Sequence, residues 1–179
     1  MKTNKERILW ITRTGVLIAL LITLQWSTSG LGQYVTGSCV NAVLAIAALA
    51  AGLWSGVVVA VLSPFCAFLV GVGPQLIQIV PAIAAGNLVL VLVLYALLRA
   101  KSAPVWKQAV SVIVAAFAKF VALYVAVVQV FIPLMGAALK EKQVATFTAM
   151  FSWNQLVTAL IGCTLAMLIV PVIRKAIKK

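Results

Sequence analysis

The stretch Trp106–Ile132 reads WKQAVSVIVAAFAKFVALYVAVVQVFI, and its interpretation decides the fold. After Lys107 it is predominantly apolar and exceeds the ~20 residues that an α-helix needs to cross a bilayer. One charge interrupts it, Lys119, inside Ala115-Ala116-Phe117-Ala118-Lys119-Phe120-Val121-Ala122. A charge near a bilayer centre costs ~2.5–3.5 kcal/mol on insertion scales, so it faces protein or a water-filled cavity. At ~1.5 Å per residue from Lys107, Lys119 lies ~18 Å into a ~30 Å hydrocarbon core. Snorkelling to either surface is a long reach. Its partners are then backbone carbonyls, amide side chains, water, or the anionic group of a bound solute. We read the other helices as a cup around this ammonium, holding a small solute. The competing reading is a structural lysine held by carbonyls.

The rest of the chain repeats the pattern. Of 179 residues, 65% are hydrophobic and 9% are charged. A soluble domain carries roughly 25% charged residues, so residues 1–179 read as one compact all-α domain embedded in a membrane. The first apolar run, Ile8–Trp26, is long and has no small-residue cleavage site after it, so it reads as a retained span. Net charge is +12, but the basic residues sit between and beyond the apolar runs. That pattern fits the positive-inside rule and argues against nucleic-acid binding.

Glu6 and Glu141 are the only acids, and histidine is absent. Paired carboxylates, His-based metal sites, Ser-His-Asp arrangements and intramembrane proton relays are thereby excluded. Cys39, Cys66 and Cys163 have no metal-ligand spacing and read as small buried residues. No cofactor is expected.

Further spans are expected near Leu76–Leu98, Trp106–Ile132 and Val144–Val172. The Gly-rich segment Ser27–Ser38 reads as a long loop. Ala42–Val72 is too long for one span and short for two, with Gly52-Leu53-Trp54-Ser55-Gly56 offering a break. Charge resolves it. With six spans and both termini cytoplasmic, eleven basic residues lie inside: Lys2, Lys5, Arg7, Arg13, Arg99, Lys101, Lys107, Arg174, Lys175, Lys178 and Lys179. Only Lys140 and Lys142 lie outside. With five spans the split becomes six against seven, so six spans are favoured.

Uncharged polar groups recur at outer-half depth. Gln25 lies near the outer end of the first span and Asn87 about midway along the fourth. Asn154 and Gln155 are placed about ten residues into the sixth, and Gln129 towards the outer end of the fifth. Gln78 and Asn41 are read at outer helix ends. In hydrocarbon an unpartnered amide costs several kcal/mol, so these residues turn inward. They either bond helix to helix or line a pocket with Lys119. Tyr34, in the expected loop, either stacks over a solute or anchors the interface. Trp10, Trp54 and Trp106 read as the aromatic belt of the cytoplasmic boundary. Gly15 and Ala19 form a small-x-x-x-small stripe on the first span, suited to close approach of another helix.

Taken together, the chain resembles the substrate-binding S components of energy-coupling factor (ECF) transporters. The resemblance rests on its size, six spans, the basic N-terminus before Gly15 and Ala19, and the expected loop. It also rests on Ser63-Pro64, Pro81–Asn87 and Phe151–Val157 running on to Pro171. It implies a non-enzymatic subunit of the plasma membrane that binds a vitamin-like micronutrient from outside. It further implies association with a transmembrane coupling subunit and two cytoplasmic ATPases, and toppling in the bilayer to release the solute. In that family the motif on the first span is usually Ala-x-x-x-Ala and contacts the coupling subunit; here Gly15 takes the first place and Ala19 the second. An acid-free bundle has no ready means of coupling to protons, which agrees with energy supplied by a partner. The alternatives are a structural or regulatory membrane protein without a ligand, and a membrane enzyme, for which Lys119 alone would have to serve as acid and base. Lys119 favours an anionic solute.

Overall fold

The computed structural model describes residues 3–99 and 103–177. Lys2, Lys101, Lys178 and Lys179, counted in the charge argument, lie outside the described residues. No strand occurs among the described residues. The first span is α1 (Asn4–Thr28), opened by a capping box in which Thr3 and Glu6 bond each other's backbone N–H groups. The second is α2 (Gln33–Ile46), continued by a wide π-helical turn, Ala47–Ala51. The third is α3 (Leu53–Leu69) and the fourth α4 (Val80–Leu98).

The fifth begins as α5 (Val105–Leu123), widens to π-helix over Tyr124–Phe131, and ends in the single turn α6 (Ile132–Met135). A separate helix, α7 (Glu141–Met150), precedes the sixth span, α8 (Trp153–Ile177). Five of these segments are long and apolar enough to cross a membrane, and α3 is a shorter apolar helix of 17 residues.

Three expectations about boundaries change. The loop expected over Ser27–Ser38 is only a tight 3-10 turn at Ser29–Leu31 and one glycine, Gly32, at φ +88°. From Gln33 onward the chain is helical, so Tyr34 lies in the first turn of α2. The span read as Val144–Val172 breaks at Phe151 and Ser152, so Asn154 and Gln155 open α8 instead of lying ten residues inside a helix. Asn41 is a mid-helix residue of α2, not an end residue. The break predicted around Gly52 is present, with that glycine at φ +104°.

α2 and α8 run parallel and in close contact. A Cβ on Gly37 would stand 2.9 Å from the Thr158 methyl, and one on Gly162 would stand 2.7 Å from Asn41 Cβ. Further along the same pair, Arg174 donates from Nε and a terminal guanidinium nitrogen to the Leu49 carbonyl at 3.1 and 2.8 Å. α4 fits between α3 and α5, and α1 packs on α2 and α3. The end of the bundle nearest both termini is filled by Leu44, Ala48, Val59, Leu90, Val91, Leu94 and Ala166. A second apolar cluster joins α7 to the π-helical stretch and the start of α4 through Ile79, Leu123, Val127, Phe147 and Phe151.

Candidate functional site

Lys119 comes from the last turns of α5 and is 3% exposed. Its Nζ donates to Asn41 Oδ1 at 2.6 Å and to Asn87 Oδ1 at 2.7 Å. An ammonium only donates, so it fixes both amides with oxygen inward. Asn41 then donates through Nδ2 to the Gly37 carbonyl at 2.9 Å and to Thr158 Oγ1 at 3.4 Å. One cation thus ties α5 to α2 and α4, and Asn41 carries the link to α8. The sequence permits this because glycines sit beside each amide. Gly162 admits α8 against Asn41, and a Cβ on Gly86, next to Asn87, would run into the Leu123 side chain.

Two amide oxygens solvate the ammonium without neutralising it. Glu6 and Glu141, the chain's only acids, are both exposed, at the first turns of α1 and α7. A buried positive charge therefore stands uncompensated by protein. Charge-assisted hydrogen bonds are worth roughly 1.5–3 kcal/mol each, which offsets part of its desolvation.

Lys119, Asn41 and Asn87 border a cavity of about 250 Å³. That is near the lower end of the ~300–1,000 Å³ usual for sites that take small organic ligands. Its walls come from the C-terminal ends of α1 and α3, the starts of α2, α4 and α8, and the last turns of α5. It therefore lies at the end of the bundle away from both termini. Phe68, Pro64, Val80, Ile83, Leu123 and Phe151 supply an apolar lining. Gln25, Gln33, Thr36, Ser63 and Gln155 interrupt it with polar groups.

Of the residues expected to surround Lys119, the structure brings Asn87, Gln25 and Gln155 to the cavity wall. Tyr34 and Asn154 are not among the lining residues; they bond each other, Tyr34 Oη donating to Asn154 Oδ1 at 2.7 Å. Asn154 Nδ2 donates to Gln33 Oε1 at 3.2 Å, and the Gln33 and Gln155 amides both donate to the Met150 carbonyl, at 2.7 and 3.1 Å. This chain of amides fastens the start of α2 to the start of α8. Gln129 is not brought in: it is exposed, and its amide donates to the Tyr124 hydroxyl at 3.3 Å. The π-helical widening of Tyr124–Phe131 shifts its direction from the one an unbroken α-helix would give. Gln33, Thr36 and Ser63 are wall residues outside the expected set, and Asn41, expected at a helix end, reaches the wall from mid-helix.

Gly15 and Ala19 are exposed on α1, and a Cβ on Gly15 would meet nothing within 4 Å. Val16 and Leu20 extend that uncovered face, while the opposite face of α1 is held to α3 by Thr14 donating to Ser55 Oγ at 2.9 Å.

Comparison with known families gives one finding: a family model described as the ECF transporter substrate-specific component matches residues 10–174. No curated protein and no solved structure matches the chain.

Proposed function

Since the chain belongs to the substrate-specific components of ECF transporters, we propose that its cavity captures a small organic anion of the micronutrient class at the outer face. Members of this family are plasma-membrane binding subunits, not enzymes, and they partner with an ECF module of a transmembrane coupling subunit and ATPases. The finer reading rests on one observation: an acid-free bundle holds an uncompensated ammonium at the wall of a cavity. Asn41 and Asn87 position that ammonium, so its remaining proton and its net charge are left for the solute. Gln25 and Gln155 contribute polar wall, and Tyr34 with Asn154 braces the wall residue Gln33.

In this reading residues 1–179 act as one domain with both termini cytoplasmic. The basic-residue asymmetry supports that orientation, and so does the placement of the cavity at the end opposite the termini. Gly15 and Ala19 form the docking groove for the coupling subunit. Gly15→Leu therefore leaves solute binding unchanged and abolishes co-purification with the ECF module; normal co-purification would remove this interface. For the cavity, equilibrium titration of the solute that accompanies the purified protein is compared in wild type and Lys119→Met. A dissociation constant raised tenfold or more is expected, and an unchanged one would remove Lys119 from the site.

A further inference from the structure

Among the described residues, three buried side-chain polar atoms have no hydrogen-bond partner: Trp10 Nε1, Gln25 Oε1 and Ser63 Oγ. Two of the three, Gln25 and Ser63, border the cavity. Ser63 is the sharper case. Thr14, Thr28, Ser38, Ser111, Thr146 and Thr164 each turn the hydroxyl back to the carbonyl four residues earlier. That is the usual way a helical hydroxyl is satisfied in apolar surroundings. Ser63, inside α3 and 1% exposed, makes no such bond. Buried polar atoms without partners are costly and rare, and two on one wall imply something that arrives to meet them.

Their chemistry is the complement of Lys119. The ammonium donates only; an amide oxygen accepts only; a hydroxyl does either. The two groups also stand on different walls, Gln25 and Ser63 on α1 and α3, Lys119 on α5, which packs on α4 and α8. We propose that the solute is bifunctional: an organic anion that also carries a hydroxyl or amide N–H, whose polar end is met by Gln25 Oε1 and Ser63 Oγ. Gln25 and Ser63 are then the specificity-determining residues. This rests on the reading that Lys119 receives the anionic group. An anion with a purely apolar body would bury both atoms unmet. Sites built to hydrogen-bond a solute reject the analogue lacking that group far more strongly than apolar pockets reject a change of size.

The test uses the full-length protein in detergent and a ladder of straight-chain ω-hydroxy carboxylates, their deoxy counterparts and the matching diols. Thermal stabilisation reads the affinity of each probe. In wild type the hydroxy acids are expected to act at about tenfold lower concentration than the deoxy acids. Ser63→Ala and Gln25→Leu are each expected to erase that preference, bringing the hydroxy acids to the same effective concentration as the deoxy acids. The melting temperature of each variant without probe checks its fold. Equal affinity for both acids in wild type overturns the inference and leaves the anion reading standing, with water serving that wall. A preference that survives in both variants also overturns it. Tighter binding of the diols than of either acid, or no binding of any acid, overturns the premise and the inference with it.

Discussion

The two ends of this bundle are built from the same helices and differ in what fills them. Near the termini, α2 and its π-helical continuation present Leu44, Ala45, Ala47 and Ala48 to Val59, Leu90, Val91 and Leu94, and the space is closed. One or two turns away, α2 presents Gly37 and Asn41, α4 presents Asn87, α5 presents Lys119, and the space is open to about 250 Å³. Apolar groups gain by collapsing onto each other. The layer of Lys119, Asn41, Asn87 and Thr158 cannot collapse further, because each polar atom must keep its partner. That layer is the boundary between a scaffold and a receptacle, and it assigns separate consequences to mutations only a turn apart.

Replacing the charge should have the largest effect on binding. Lys119→Met should cost on the order of 2–5 kcal/mol of solute affinity, as for loss of one member of a desolvated charge pair. Titration calorimetry checks it, and a small change would erase the distinction between the two ends. Leu94→Ala, in the filled end, should cost about 2–4 kcal/mol of stability and leave solute affinity unchanged. Thermal melts and titration of the same sample separate the two quantities. A matching loss of affinity would mean that the ends are not independent.

Asn41→Leu removes one acceptor from the ammonium at the boundary itself. It should lower both stability and affinity, by about 1–3 kcal/mol each. An effect confined to stability would make Asn41 a strut without a share in the site. Smallest is Tyr34→Phe, which deletes the bond to Asn154 and should cost about 1 kcal/mol or less. It should act on the rate at which solute leaves, measured by displacement kinetics.

Much of this was legible in the residues, and the failures share a cause. The charge split called for six spans, and the isolation of Lys119 marked the boundary layer. The break at Gly52 is legible because Ala42–Val72 is too long for one span and the charge split requires two. Gly37 was misread as part of a loop, although it serves close approach to Thr158. Glycine supports a turn and a tight helix contact equally well, and only the partner helix decides between them. That error pushed Asn41 to a helix end. The break at Phe151 and Ser152 has neither glycine nor proline to announce it. There Phe147 and Phe151 bury themselves against Leu123 and Val127, a tertiary demand that overrides local helix preference. The widened turns over Tyr124–Phe131, which leave Gln129 outside, likewise have no local signature.

The most direct test of the uncompensated ammonium is the identity of the small molecule that leaves the membrane with the protein. Mass spectrometry of solute released from wild type and from Lys119→Met supplies it. The account predicts a small anionic species on the wild type that is missing from the variant. A neutral or cationic solute, or an anion retained equally by both, would contradict it.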